Sequence, residues 1–330
     1  MKEVKSNRAI DTITKAYVRE NKIFADAFNY LIYDGHPVIN AENLHELDIT
    51  EIALPTSIEN TQDIKSHASV QQYRDILKSA SIKTHQSVVY ILLGIENQTN
   101  VHYAMPVRNM IYDALQYGRQ VTEIASTHKH AHTAKISRAE YLSGFYKTDK
   151  LIPVITLVLY FNTNAWDGPL SLFDMMDSDI QKHDYAKYIQ NYHLHLIEPS
   201  KISDEDLNKF DSSLREVLGC IKYAKDKNKL ADFIHNNPRM NIDISAARVI
   251  GAITNTPIHF QKGDEQIDMC QAIEEMIQDG KTAGKIEGKI EGKIELISQL
   301  LRLKKITMNE ASVLMHMSKE ELENKIQFFS

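Results

Sequence analysis

Cysteine is nearly missing from this sequence: Cys220 and Cys270 are the only two. Neither belongs to a CxxC pair or a Cys/His ligand spacing, which excludes a disulfide framework and a zinc finger. Also missing is any run of about 18 apolar residues, and the N-terminal MKEVKSNRAIDTITKAYVRENKIF holds no continuous apolar stretch. Neither export nor membrane insertion is therefore expected, and a reducing cytoplasm is the expected location. No Walker loop, GxGxxG, GxSxG or HExxH occurs, so NTPase, dinucleotide, esterase and zinc-protease activities have no support. Positive charge is in deficit too. The 38 Lys and Arg against 44 Asp and Glu leave a net −6, which is not the balance of a protein that coats nucleic acid. Contact with DNA then requires a local basic surface.

What remains is the composition of a globular chain with a real core: 43% hydrophobic and 25% charged over 330 residues. Apolar groups at helical spacing (Ile13, Ala16, Tyr17, Phe24, Ala27, Phe28, Leu31) predict one or two helices over 11–33, ending near Asp34-Gly35. Residues 36–69 are polar and contain Pro37 and Pro55, which predicts a loop. Strand-like stretches at 70–77 and 87–95 flank KSASIKTHQ, which predicts an antiparallel hairpin with an extended tip. Pro106 suits the first turn of a helix whose apolar face is Met110, Ile111, Ala114 and Leu115, expected to run to about Tyr117. The segment LIPVITLVLYFN, 151–162, predicts a further buried strand. Beyond Trp166 helical spacing dominates, over 204–234, 242–255 and 264–279. The histidines of THKHAHT (His128, His130, His132) would share a face in an extended chain and could bind a transition metal, but the segment has the polarity of a solvated loop.

The tail repeats one tetrapeptide three times, GKIEGKIEGKIE at 284–295. On a helix this sets an Ile row opposite a Gly row, with Lys and Glu on the shoulders of the Ile row. Two readings follow: a homo-oligomer built on that seam, or a half-flexible spacer, since glycine costs about 1 kcal/mol relative to Ala in a helix. Residues 306–326 form two short apolar runs split at Met317-Ser318, which predicts a small helical hairpin.

The chemistry concentrates elsewhere. Glu96 and Gln98 close the apolar run VVYILLGI, and period-2 alternation puts both on one face of their strand. The hairpin partner strand brings Asp75, in QYRDIL, toward that face. Two carboxylates and an amide converging at one sheet edge suit a hard divalent cation such as Mg²⁺ or Mn²⁺, which takes oxygen ligands and keeps several waters.

The order of these landmarks, RDIL (74–77), IENQ (95–98), MPVRNMIY (105–112), IPVITLVLY (152–160) and Trp166, resembles the Rpn family of recombination-promoting nucleases and putative transposases of bacteria. That family is a branch of the PD-(D/E)xK nuclease superfamily, and the resemblance spans roughly 15–170. It implies an α/β, restriction-endonuclease-like core over 1–170 (a mixed sheet flanked by helices), a helical region over 171–280, and the repeat helix with its hairpin over 281–330. It further implies a Mg²⁺- or Mn²⁺-dependent DNA endonuclease, with Asp75 and Glu96 as metal ligands and Gln98 in the place of the superfamily's lysine. Gln98 cannot bring that lysine's charge and would orient water or a phosphate oxygen. Arg108 and Tyr112, one turn apart, and Lys78 and Lys83 near the hairpin tip are candidate substrate contacts. Asp26 is a candidate further acid from the first helix. The alternative from another class is a catalytically weak or silent nuclease fold that binds DNA or protein as an oligomeric module.

Overall fold

Two helices open the chain in the computed structural model, α1 (Lys2–Arg19) and α2 (Asn21–Tyr33), parted at Glu20, which leaves helical backbone with ψ 127°. Asp34 then takes the left-handed conformation and Gly35 follows at φ +86°, where an added Cβ would stand 2.6 Å from the Lys209 carbonyl oxygen. Only glycine meets both demands there. The residues described are 2–47, 54–55, 69–70, 75–83, 88–130, 136–260 and 263–328.

The strands are β1 (Leu44–Glu46), the short pair β2 (Leu54–Pro55) and β3 (Ser69–Val70), then β4 (Ile76–Lys83) and β5 (Val88–Gln98). Helices α3 (Met105–His130) and α4 (Arg138–Ser143) lead to β6 (Val154–Tyr160) and β7 (His195–Ile197). Five of these strands form one mixed sheet in the order β1-β4-β5-β6-β7. β4 pairs antiparallel with both β1 and β5, whereas β5, β6 and β7 run parallel. The apolar run of β5 is thus a central strand, closed in on both edges.

The register assigns the faces. Glu96 pairs with Val158 and Gln98 with Tyr160, while Asn97 pairs with Leu159. Val158 and Tyr160 pack with Met105 of α3, Trp166 and Leu194, so Glu96 and Gln98 belong to the α3 face. The Asn97 side chain instead donates to Thr14 Oγ1 of α1 at 2.8 Å, on the opposite face. On that face α1 packs on β5, and two later helices, α6 (Leu214–Tyr223) and α8 (Ile244–Thr254), pack behind it, α8 on α1 and α6 on α8 and α2. Around these lie α5 (Asp204–Leu207), α7 (Lys227–His235) and, on either side of α8 in the chain, the pair β8 (Asn241–Asp243) with β9 (Gln266–Asp268).

The chain divides into two compact units, Met1–Ile267 and Asp268–Ser330. The boundary expected at 170 is not where the structure divides, because β7 completes the sheet, α8 packs on α1, and α6 packs on α8 and α2. The second unit is α9 (Met269–Arg302), α10 (Met308–Met315) and α11 (Lys319–Phe328), around Ile297, Ala311 and Leu322. The GKIE repeats lie inside the continuous helix α9, and the expected hairpin turns at His316, in the left-handed conformation. Among the described residues no helix is long and apolar enough to cross a membrane.

Several local expectations are corrected. KSASIK is not a hairpin tip but most of β4, since β1 covers its outer edge through the pairs Leu44 with Ala80 and Glu46 with Lys78. Helix α3 does not stop near Tyr117 but runs to His130. His128 is therefore helical; its ring stacks on Tyr146 at 3.6 Å and its Nε2 meets Asp149 Oδ2 at 2.9 Å. His132 and the side chains of His130 and Lys83 lie outside the described residues.

Candidate active site

Antiparallel pairing of Ile76 with Ile95 sets the preceding Asp75 beside Glu96. The Asp75 backbone N–H donates to Glu96 Oε1 at 3.3 Å, and the Asn97 backbone N–H donates to Asp75 Oδ2 at 3.0 Å. The two carboxylates are thereby locked across the end of the hairpin. Glu96 is fully buried, and the Asp75 side chain is 11% exposed.

Cations approach from both faces. From α3, Arg108 Nη2 lies 3.3 Å from Glu96 Oε2, and Arg108 Nε donates to the Tyr112 hydroxyl at 2.8 Å. Burial works against the charged guanidinium, but the Glu96 carboxylate and the Tyr112 hydroxyl more than offset it, so its pKa is raised. The Tyr112 phenol is pushed up by burial and then by the Glu96 charge, and stays protonated. From α1, Lys15 Nζ lies 3.0 Å from Asp75 Oδ1 and 2.9 Å from Asp11 Oδ2. Burial lowers the Lys15 pKa, yet Asp11 and Asp75 together raise it above the ordinary lysine value.

Of the residues expected at a site, then, Asp75, Glu96, Arg108 and Tyr112 are linked in one chain of contacts, and Gln98 stands on the same face of β5 as Glu96, two residues on. Two others are elsewhere. Lys78 pairs with Leu93 and points to the α1 face, where it is 1% exposed. Its ammonium donates to the Arg19 carbonyl at 2.5 Å and to Asn21 Oδ1 at 2.6 Å, and sits over the Phe24 ring. It holds the α1–α2 junction to the sheet. Asp26 accepts from the Asp211 N–H at 3.0 Å and from the Ser212 N–H at 2.9 Å and hydroxyl at 2.5 Å. Its carboxylate fixes the entry to α6. Sequence reasoning missed Lys15, Asp11 and Asn97; the one signal for the first two was an Asp and a Lys four apart on a predicted helix.

The donor set has the chemistry of a hard-cation site: two carboxylates side by side, with Gln98 on the same face as Glu96. Among the described residues no three His, Cys, Asp or Glu side chains gather as a ready metal cage. Two carboxylates suffice for Mg²⁺, which completes its shell with water and substrate phosphate. The fit is therefore to a site that a phosphate finishes.

A family model described as putative transposase, YhgA-like, matches residues 46–241, more than half of the chain. The chain belongs to that family. The YhgA-like transposases are part of the Rpn/PD-(D/E)xK group, as the order of landmarks implied, and the match covers β4, β5, α3, β6 and β7, the elements that carry Asp75, Glu96, Gln98, Arg108 and Tyr112. It begins downstream of Lys15. No curated protein and no solved structure matches the chain. Membership in the YhgA-like family suggests a nuclease-like or transposase function.

Proposed function

We propose that this chain is a metal-dependent DNA endonuclease with a PD-(D/E)xK core, and that its reaction centre is the strand end carrying Asp75, Glu96 and Gln98. The observation that carries this is the locked pair of carboxylates, Asp75 before β4 and Glu96 on β5, joined through the Asp75 N–H. A two-carboxylate strand end on a mixed sheet, in a chain of the YhgA-like family, is the arrangement that phosphodiester hydrolysis needs.

The overall reaction forms one P–O bond from water and breaks one ester P–O bond, leaving a phosphate and a hydroxyl end. Asp75 and Glu96 would hold Mg²⁺ or Mn²⁺, which when bound activates water and stabilises charge on the phosphate. The protein's residues do the rest. Gln98 offers an amide N–H to a phosphate oxygen or a carbonyl to the attacking water. Arg108 holds Glu96 in place, and Tyr112 holds Arg108.

The test is plasmid nicking by wild type and Asp75→Ala, with Mg²⁺, with Mn²⁺ and with neither. Metal-dependent nicking that disappears in the variant is the expected result. A folded wild type that nicks under no metal would overturn the proposal and leave a binding module of nuclease fold.

A further inference from the structure

The proposed centre lacks a lysine on β5, since position 98 is Gln, and a phosphoryl-transfer site needs a cation where charge develops. The cations at this strand end are not equivalent. Arg108 is committed to a fully buried carboxylate and to Tyr112. Lys15 touches Asp75, the less buried of the two carboxylates at 11% exposed, and its own side chain is 39% exposed against 30% for Arg108. It comes from α1, the opposite face of β5 from Gln98. The α1 helix is pinned there by Asn97, the residue between Glu96 and Gln98, through Thr14.

We infer that Lys15 is a catalytic residue of the reaction proposed above: its ammonium supplies to the scissile phosphate the positive charge that Gln98 cannot. Asp11, 2.9 Å away on the same helix, is the second carboxylate that keeps Lys15 at the strand end when its contact with Asp75 is given up. The ammonium and a divalent cation would compete for the Asp75 carboxylate, so Lys15 opposes metal binding and promotes cleavage. Those opposite signs set it apart from a brace.

This inference rests on the nuclease proposal, and two variants test it in the full chain. Lys15→Met removes charge and donor. Lys15→Gln removes the charge but keeps an N–H for Asp75. Both are expected to cut DNA about 100-fold more slowly, the scale of losing one transition-state donor. Both are also expected to bind Mn²⁺ without DNA, by calorimetric titration, about fivefold more tightly, as a unit charge near the ligand is removed. Adding Gln98→Lys to Lys15→Gln should recover at least part of the lost rate.

Cleavage by both variants at the wild-type rate, with Asp75→Ala inactive, would overturn the role of Lys15 and leave the nuclease proposal standing. Slower cleavage with unchanged or weaker Mn²⁺ binding would reduce Lys15 to a structural brace and also overturn it. Absence of cleavage by the wild type removes the nuclease proposal and this one with it.

Discussion

At the scale of single residues, the centre is a balance of buried charge. Glu96 has no exposure to water, and Arg108 and the Asp75 N–H stand against its carboxylate. Removing one partner of a buried pair leaves the other charge uncompensated, so Arg108→Ala should destabilise the fold by about 3 kcal/mol in urea unfolding. Tyr112→Phe keeps the ion pair and loses the acceptor for Arg108 Nε, for which about 1 kcal/mol is expected. The ratio matters: equal losses would mean that Tyr112 acts on the core and not through Arg108. The residues of this balance differ in how legible they are before folding. Glu96 and Gln98 were legible because an apolar strand ending in polar groups is conspicuous, and Asp75 because the hairpin had to return beside them. Lys15 was not, because nothing in a local pattern tells which face of β5 an N-terminal helix will cover.

The same limit governs whole elements. The central strands β5 and β6 were legible as dense runs of β-branched and aromatic residues, and the two opening helices by their spacing. β4 was misplaced, since Ser and Lys in KSASIK imitate a turn, and β7 is only three residues long. Lys78 shows why polarity misled: on β4 it is a buried connector between strand and helices, not a surface cation. Its ammonium satisfies the Arg19 carbonyl, one of the groups that a helix C-terminus leaves without an internal partner. Lys78→Met keeps the apolar stem and loses those bonds, so a destabilisation of about 1–3 kcal/mol is expected, partly offset by relief of the buried charge. DNA affinity of the folded variant, measured by fluorescence anisotropy, should equal that of wild type. A weaker affinity at unchanged stability would return Lys78 to the substrate.

For the whole molecule, the outstanding question is what the second unit adds to the first, and the repeat in α9 bears on it. The helix is continuous through Gly288 and Gly292. Within the Ile row, Ile294 is buried and Ile290 is half-buried, so part of the seam is already covered within one chain. On the Gly row, a Cβ added at Gly288 or Gly292 would meet nothing within 4 Å. Both sites therefore accept alanine in a single chain, and Gly288→Ala with Gly292→Ala should stabilise α9 by about 1 kcal/mol each. Thermal unfolding followed by circular dichroism should show a higher Tm for the double variant. If two copies associate through the Ile row, the gain adds to a Tm that rises with protein concentration. A lower Tm in the double variant would mean that the glycines themselves lie against a partner helix, where backbones approach closely and a methyl group collides. That outcome would move the oligomer seam to the opposite side of α9 from the one that the Ile, Lys and Glu pattern designates.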